Sequence, residues 1–221
     1  MSSIPDSGAT RILPFRMRDS EGNRFYRLQR VFHFEGVAGG CVVSDLTLDI
    51  GANLSGREEV VPDVLVLPLH GEVCVTGPGY RRCLAPGSSL LVPAANTQWR
   101  VTNADREVAN LLVIELPGAC CAPSAPRYYD FSTRFLLPGL TRVLLTPCLT
   151  VQVGWFGGRD LGFYQPSYVN GHVLFHSVSG ALEVAEQLLR ERDALYVPVA
   201  EALEFECMSP QATLLVVEVA A

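Results

Sequence analysis

The chain writes one structural pattern twice. Residues 63–72 run Asp-Val-Leu-Val-Leu-Pro-Leu-His-Gly-Glu, and residues 172–181 run His-Val-Leu-Phe-His-Ser-Val-Ser-Gly-Ala. Each is an apolar strand ending at a Gly. Each is followed by a second strand, then a Val-Pro step at Val92-Pro93 and Val197-Pro198. A hydrophobic closing strand follows: Leu-Leu-Val-Ile-Glu-Leu at 111–116 and Leu-Leu-Val-Val-Glu-Val at 214–219. A 221-residue chain has room for one large or two small domains, and the repeat selects two similar β units.

The rest of the chain reads the same way. Val31–Phe34 is aromatic and β-branched, and Cys41–Ile50 alternates apolar with polar as a half-buried strand does. Short strands separated by Gly and Pro breaks indicate a sandwich or small barrel. Leu182–Arg192 is the most helix-like stretch, yet it reads better as a hairpin. The sequence therefore predicts an N-terminal arm over 1–28, one domain over 29–117, a Pro-rich linker over 118–127 and a second domain over 128–221.

Composition narrows the function. Hydrophobic residues make up 48% and charged residues 18%, which supports a packed core rather than disorder. A formal charge of −6 argues against nucleic-acid or membrane partners. No apolar run spans a bilayer and the start lacks a signal-peptide pattern, so the expected location is the cytoplasm. All 17 basic residues are Arg, which excludes lysine Schiff-base chemistry. Six of them fall in the first 30 residues, but acidic residues are interleaved; an arm packed on its own domain or on a partner subunit is favoured over a phosphate-binding tail. Seven Cys with no Cys-x-x-Cys pair support neither a disulfide framework nor a structural zinc site. Cys74 and Cys83 flank Gly77-Pro-Gly-Tyr80 symmetrically; two small buried side chains are expected there rather than a bridge.

The repeat resembles the cupin signature. His70-Gly71-Glu72-Val73 and Ser179-Gly180-Ala181-Leu182 match its strand-ending Gly. Pro86-Gly87 to Pro93 and Arg192-Asp193 to Pro198 match its later turn and Pro. Two copies are similar to a bicupin of the pirin and quercetinase-like branch. The resemblance implies an all-β fold of two cupin-like barrels in tandem (double-stranded β-helix or jelly roll). It also implies a metal cage of His-x-His, Glu and a later His. Here the Glu position falls on Val64 and Val173. The His-x-His regions, 57–60 and 166–170, hold no His, and the late His position falls on Gln98 and Leu203. Val and Leu donate nothing to a divalent metal, so no metal residue and no cofactor are expected.

Two groups of candidates remain. His172 and His176 lie four apart on one strand face and are candidate acid/base groups or half a metal site, although the cupin register points Val173, Phe175 and Ser177 inward instead. Glu58, Gln98 and Trp99 are candidate ligand-binding residues around a polar pocket with one aromatic wall. The favoured function is a bicupin without the usual metal cage that binds a small molecule or acts in regulation. The alternative is a small-molecule enzyme: a metal-independent isomerase or lyase, or a diverged quercetinase-like dioxygenase using His172 and His176. A weaker third reading is a protein-interaction role for the Arg-rich arm. The sequence is compatible with a homodimer.

Overall fold

The computed structural model describes residues 10–34, 40–55, 62–94, 98–116, 125–132, 138–198 and 202–220. They form β1 (Arg11–Leu13), β2 (Ser20–Gly22), β3 (Tyr26–Phe34), β4 (Cys41–Leu48), β5 (Asn53–Ser55), β6 (Asp63–His70), β7 (Val73–Gly77), β8 (Tyr80–Leu84), β9 (Ser88–Val92), β10 (Arg100–Asn103) and β11 (Ala109–Leu116). There follow β12 (Arg127–Asp130), β13 (Gly139–Leu145), β14 (Leu149–Gly157), β15 (Leu161–Tyr164), β16 (His172–Ser179), β17 (Leu182–Val184), β18 (Gln187–Leu189), β19 (Ala194–Val197), β20 (Leu203–Cys207) and β21 (Gln211–Val219). Apart from the strands, the named helical element is one 3-10 turn, Phe15–Met17. No helix among the described residues is long and apolar enough to cross a membrane.

The strands make two compact units, each a large sheet over a four-stranded one. In the first, β12-β9-β6-β11-β4-β3-β2 faces β5-β10-β7-β8. In the second, β1-β19-β16-β21-β14-β13 faces β15-β20-β17-β18. The order is the same in both: β6, β9 and β11 correspond to β16, β19 and β21. Strands alternate their side chains, so one face of each sheet supplies the core. Leu46, Val64, Val66, Val73, Val75, Val101, Leu111 and Val113 fill the first barrel. Phe156, Val173, Phe175, Leu182, Val184, Phe205, Leu214 and Val216 fill the second.

The turns show why the repeat is spelled as it is. Gly71 and Gly180, the strand-ending glycines, have φ of +74° and +73°, a region L side chains rarely adopt. Counting back from the two Val-Pro steps, Gly87 (φ +91°) is replaced in the second copy by Arg192 (φ +70°). The turn is held by its neighbour in each case. Ser88 Oγ accepts from Ala85 N, and Asp193 Oδ2 accepts from Arg190 N. The stretch 182–192 is the expected hairpin, its two-residue turn made by Ala185 and Glu186, both at positive φ.

The domain boundaries differ from the expected 29–117 and 128–221. Strand β12, from the edge of the linker, pairs with β9 and belongs to the first unit, which runs from Met17 to Leu137. Strand β1, from the arm, pairs with β19 and belongs to the second, with Asp193 Oδ1 accepting from Phe15 N. Each large sheet thus gains its edge strand from a segment outside its own repeat, which covers an open row of backbone donors and acceptors. Cys74 and Cys83 are also a correction: they are disulfide-bonded.

Candidate functional site

The first barrel is hollow at one end. A cavity of about 690 Å³ opens there, within the size range of small-molecule pockets. Its apolar wall comes from inward positions, notably Leu28, Val64, Val113 and Trp99. Trp99 is 5% exposed, and its indole Nε1 has no acceptor among the described residues. Asp19 and Glu21 stand on the same cavity with Arg30, whose register partner across β4 is the buried Ser44.

One inward carboxylate sits in this cavity. Along β11, Ala109, Leu111 and Val113 point into the core, so Glu115 continues that row. Its cross-strand neighbours are Val42 on β4 and Val64 on β6. Glu115 is half-buried and lines the cavity; no hydrogen bond reaches its carboxylate among the described residues. Its charge helps burial push the neighbouring Cys41 thiol up, so that thiol stays protonated and inert.

The second barrel has the same carboxylate and closes over it. Ala212, Leu214 and Val216 point inward along β21, and Glu218 follows them. Its neighbours are Thr150 on β14 and Val173 on β16. Glu218 is fully buried. Tyr164 Oη donates to its Oε2, and the backbone N–H groups of Ser167 and Tyr168 donate to it at 2.8–2.9 Å. Tyr168 Oη in turn donates to Thr146 O at 2.6 Å. Burial and then Glu218 push the Tyr164 phenol well above its ordinary range, so Tyr164 remains a donor. The chain itself supplies the donors that Glu218 needs.

The residues singled out from sequence separate. Trp99 walls the cavity, whereas Gln98 is an exposed turn residue that does not line it. Glu58 lies outside the described residues. His172 and His176 occupy the face of β16 opposite Val173 and Phe175, as the barrel register required. The His172 ring stacks on Tyr196, whose hydroxyl is 2.8 Å from Nδ1. His176 is fully buried, with Nδ1 3.1 Å from the Asp193 carbonyl oxygen. Sequence reasoning missed Glu115. The signal was present: the two closing strands align Glu115 with Glu218 at the parity of the inward leucines.

The donor set does not fit the metal cage of a cupin enzyme. Val64 and Val173 both point into barrel cores, and Leu203 is packed against the second core. Counting from the β7–β10 and β17–β20 pairings, Trp99 and not Gln98 is the counterpart of Leu203. Glu115 stands between two valines on a cavity that Asp19 and Glu21 also line, but no imidazole lines it among the described residues, and Glu218 already has its oxygens occupied.

No family model and no curated protein matches this chain. Solved structures do. A bacterial pirin from Escherichia coli, YhhW, solved in complex with nickel(II), superposes with a TM-score of 0.75 at 14% identity over 96% of this chain and 99% of its own. AerE from Microcystis aeruginosa gives 0.65 at 12% identity over 91% and 96%. A cupin 2 conserved barrel domain protein from Leptotrichia buccalis gives 0.57 at 10% over 95% and 96%. Likeness at such low identity concerns architecture, and it agrees with the strand order and core derived above: this chain has a pirin-like fold of tandem cupin barrels.

Proposed function

We propose that the first barrel binds a small molecule that presents an N–H or O–H donor to Glu115 and lays its apolar body against Val64, Val113 and Trp99. The observation that carries this reading is the unmatched pair of glutamates. Glu218 takes a phenol and two backbone N–H groups from its own chain. Glu115 faces the cavity, and no hydrogen bond reaches its carboxylate among the described residues. A ligand amine, amide or hydroxyl would complete Glu115 as Tyr164 and its loop complete Glu218. The carboxylates of Asp19 and Glu115, with Arg30 the one basic residue lining the cavity among the described residues, favour a neutral or cationic ligand over an anion.

A second reading uses the same group. A carboxylate beside an apolar wall is placed to accept a proton from a bound substrate, which suits a metal-independent isomerase or lyase. The valines at the Glu-ligand positions count against the metal-dependent dioxygenase route. His172 and His176 do not supply the base in this reading, because they lie off the inner face.

The chain has two Trp, Trp99 and Trp155, so a Trp155→Phe variant makes Trp99 the sole indole reporter. A panel of small amines, amides and polyols should contain compounds that both raise the thermal midpoint and shift Trp99 emission. Glu115→Gln should weaken those compounds by about 1.5–3 kcal/mol, the worth of a hydrogen bond to a charged group. Hits that leave Trp99 emission and Glu115→Gln affinity unchanged would place binding elsewhere and sink the proposal.

A further inference from the structure

The outer face of the first barrel carries two cysteines beside a carboxylate, in the β7–β8 hairpin. Pro78 and Gly79 (φ +76°) form its two-residue turn between the paired Gly77 and Tyr80. Counting back from that turn, hydrogen-bonded and non-hydrogen-bonded pairs alternate, and Cys74–Cys83 is a non-hydrogen-bonded pair. Such pairs bring side chains closest. The two Cα atoms are 4.0 Å apart. Val73 and Val75 point into the core, so Cys74 points out, and Glu72 shares its parity. One carboxylate oxygen of Glu72 and the sulfurs of Cys74 and Cys83 all lie within 4.8 Å of one another. The Glu72 main chain is anchored beside the pair: its N–H donates to Asp105 Oδ2 and its C=O accepts from Ala104 N. Cys83 and Glu72 are exposed, so both a reductant and an ion can reach the group.

We propose that this hairpin is a redox-gated site for a thiophilic divalent cation of the zinc class. In the disulfide form the sulfurs are bonded to each other and the site is closed. A dithiol reductant transfers two electrons to the disulfide, leaving two Cys thiols and its own disulfide. A divalent ion then displaces the two thiol protons and binds two thiolates and Glu72, with a fourth position open to water. Two thiolates and a carboxylate are a zinc-type donor set. A peroxide reverses the step: the two bound thiolates, one peroxide and two protons give the disulfide, the free divalent ion and two waters.

The site is distinct from the cavity, since its donors point to the opposite face of the same sheet. The test uses the full chain and cobalt(II) as a spectroscopic stand-in for zinc. Reduced protein should take up about one cobalt per chain with a thiolate-to-metal charge-transfer band, the class of site expected for two Cys ligands. Peroxide treatment should abolish the band and release the ion. Cys74→Ser and Cys83→Ser should each remove it, while a Cys120→Ser/Cys121→Ser double variant should keep it. Glu72→Gln should weaken cobalt by at least the roughly 10- to 100-fold that loss of an outer-shell partner costs. Circular dichroism checks that the serine variants fold, and alkylation of reduced wild-type protein gives a readout without mutation. A reduced protein that binds no cobalt, or a band that survives Cys74→Ser or moves with Cys120 and Cys121, would overturn the assignment.

Discussion

The two barrels carry the same glutamate at the same register and use it in opposite ways. Glu218 is sealed under Tyr164, Ser167 and Tyr168, whereas Glu115 faces a cavity of about 690 Å³. A buried carboxylate is tolerated when donors satisfy it. The second barrel takes its donors from the chain and seals its carboxylate; the first keeps its carboxylate beside open space. Duplication of a fold therefore does not duplicate a site: the difference lies in the segment that comes to rest over the inner face.

The largest effect should separate the two glutamates. Glu218→Ala strands three donors in a closed core and should cost about 3–5 kcal/mol, as breaking buried charged networks does. Glu115→Ala should cost less than about 1 kcal/mol, because it removes no hydrogen bond among the described residues. Urea denaturation of both variants reads the difference directly. Equal losses would mean that Glu115 is as firmly held as Glu218.

A second contrast concerns the repeat's glycines. Alanine at Gly71 pays for left-handed backbone, about 1–2 kcal/mol, with the nearest Ala109 atoms 3.2 Å from the added Cβ. At Gly180 a Cβ would lie 2.2 Å from the Gln211 carbonyl oxygen, so Gly180→Ala should approach about 3 kcal/mol. Midpoint shifts that rank Gly71→Ala above Gly180→Ala would show that the second copy's turn relaxes more readily than its packing indicates.

The smallest of the three effects tests the plug itself. Tyr164→Phe removes one donor from Glu218 but leaves both backbone N–H groups, so the loss should be about 1.5 kcal/mol. Fluorescence of Trp99 should not respond, since the change is confined to the second barrel. A shift in Trp99 emission would break the picture of two independently built interiors.

Much of the architecture was legible because it rests on local rules. Gly71 and Gly180 mark turns that need positive φ, the Val-Pro steps end strands, and strand parity sorted Val173 and Phe175 inward and His172 and His176 outward. Candidate site residues were less legible. Trp99 was found, but Gln98, one residue away, sits on an exposed turn. Cys74 and Cys83 were expected to stay reduced on general grounds of compartment, while the hairpin brings their Cα atoms to 4.0 Å. Glu115 was hidden inside a closing strand that reads as plain core.

The sequence by itself determined two β barrels, their turns, their inward rows and the aliphatic residues at the expected metal positions. These follow from strand alternation and backbone preference, which act over a few residues. Only the tertiary structure decided which glutamate would be satisfied, which segment would edge each sheet and which cysteines would meet. Those outcomes depend on contacts such as Tyr164 with Glu218, 54 residues apart, and Phe15 with Asp193, 178 apart. Such pairs are selected by the packing of the whole unit, because neither partner's local sequence specifies the other.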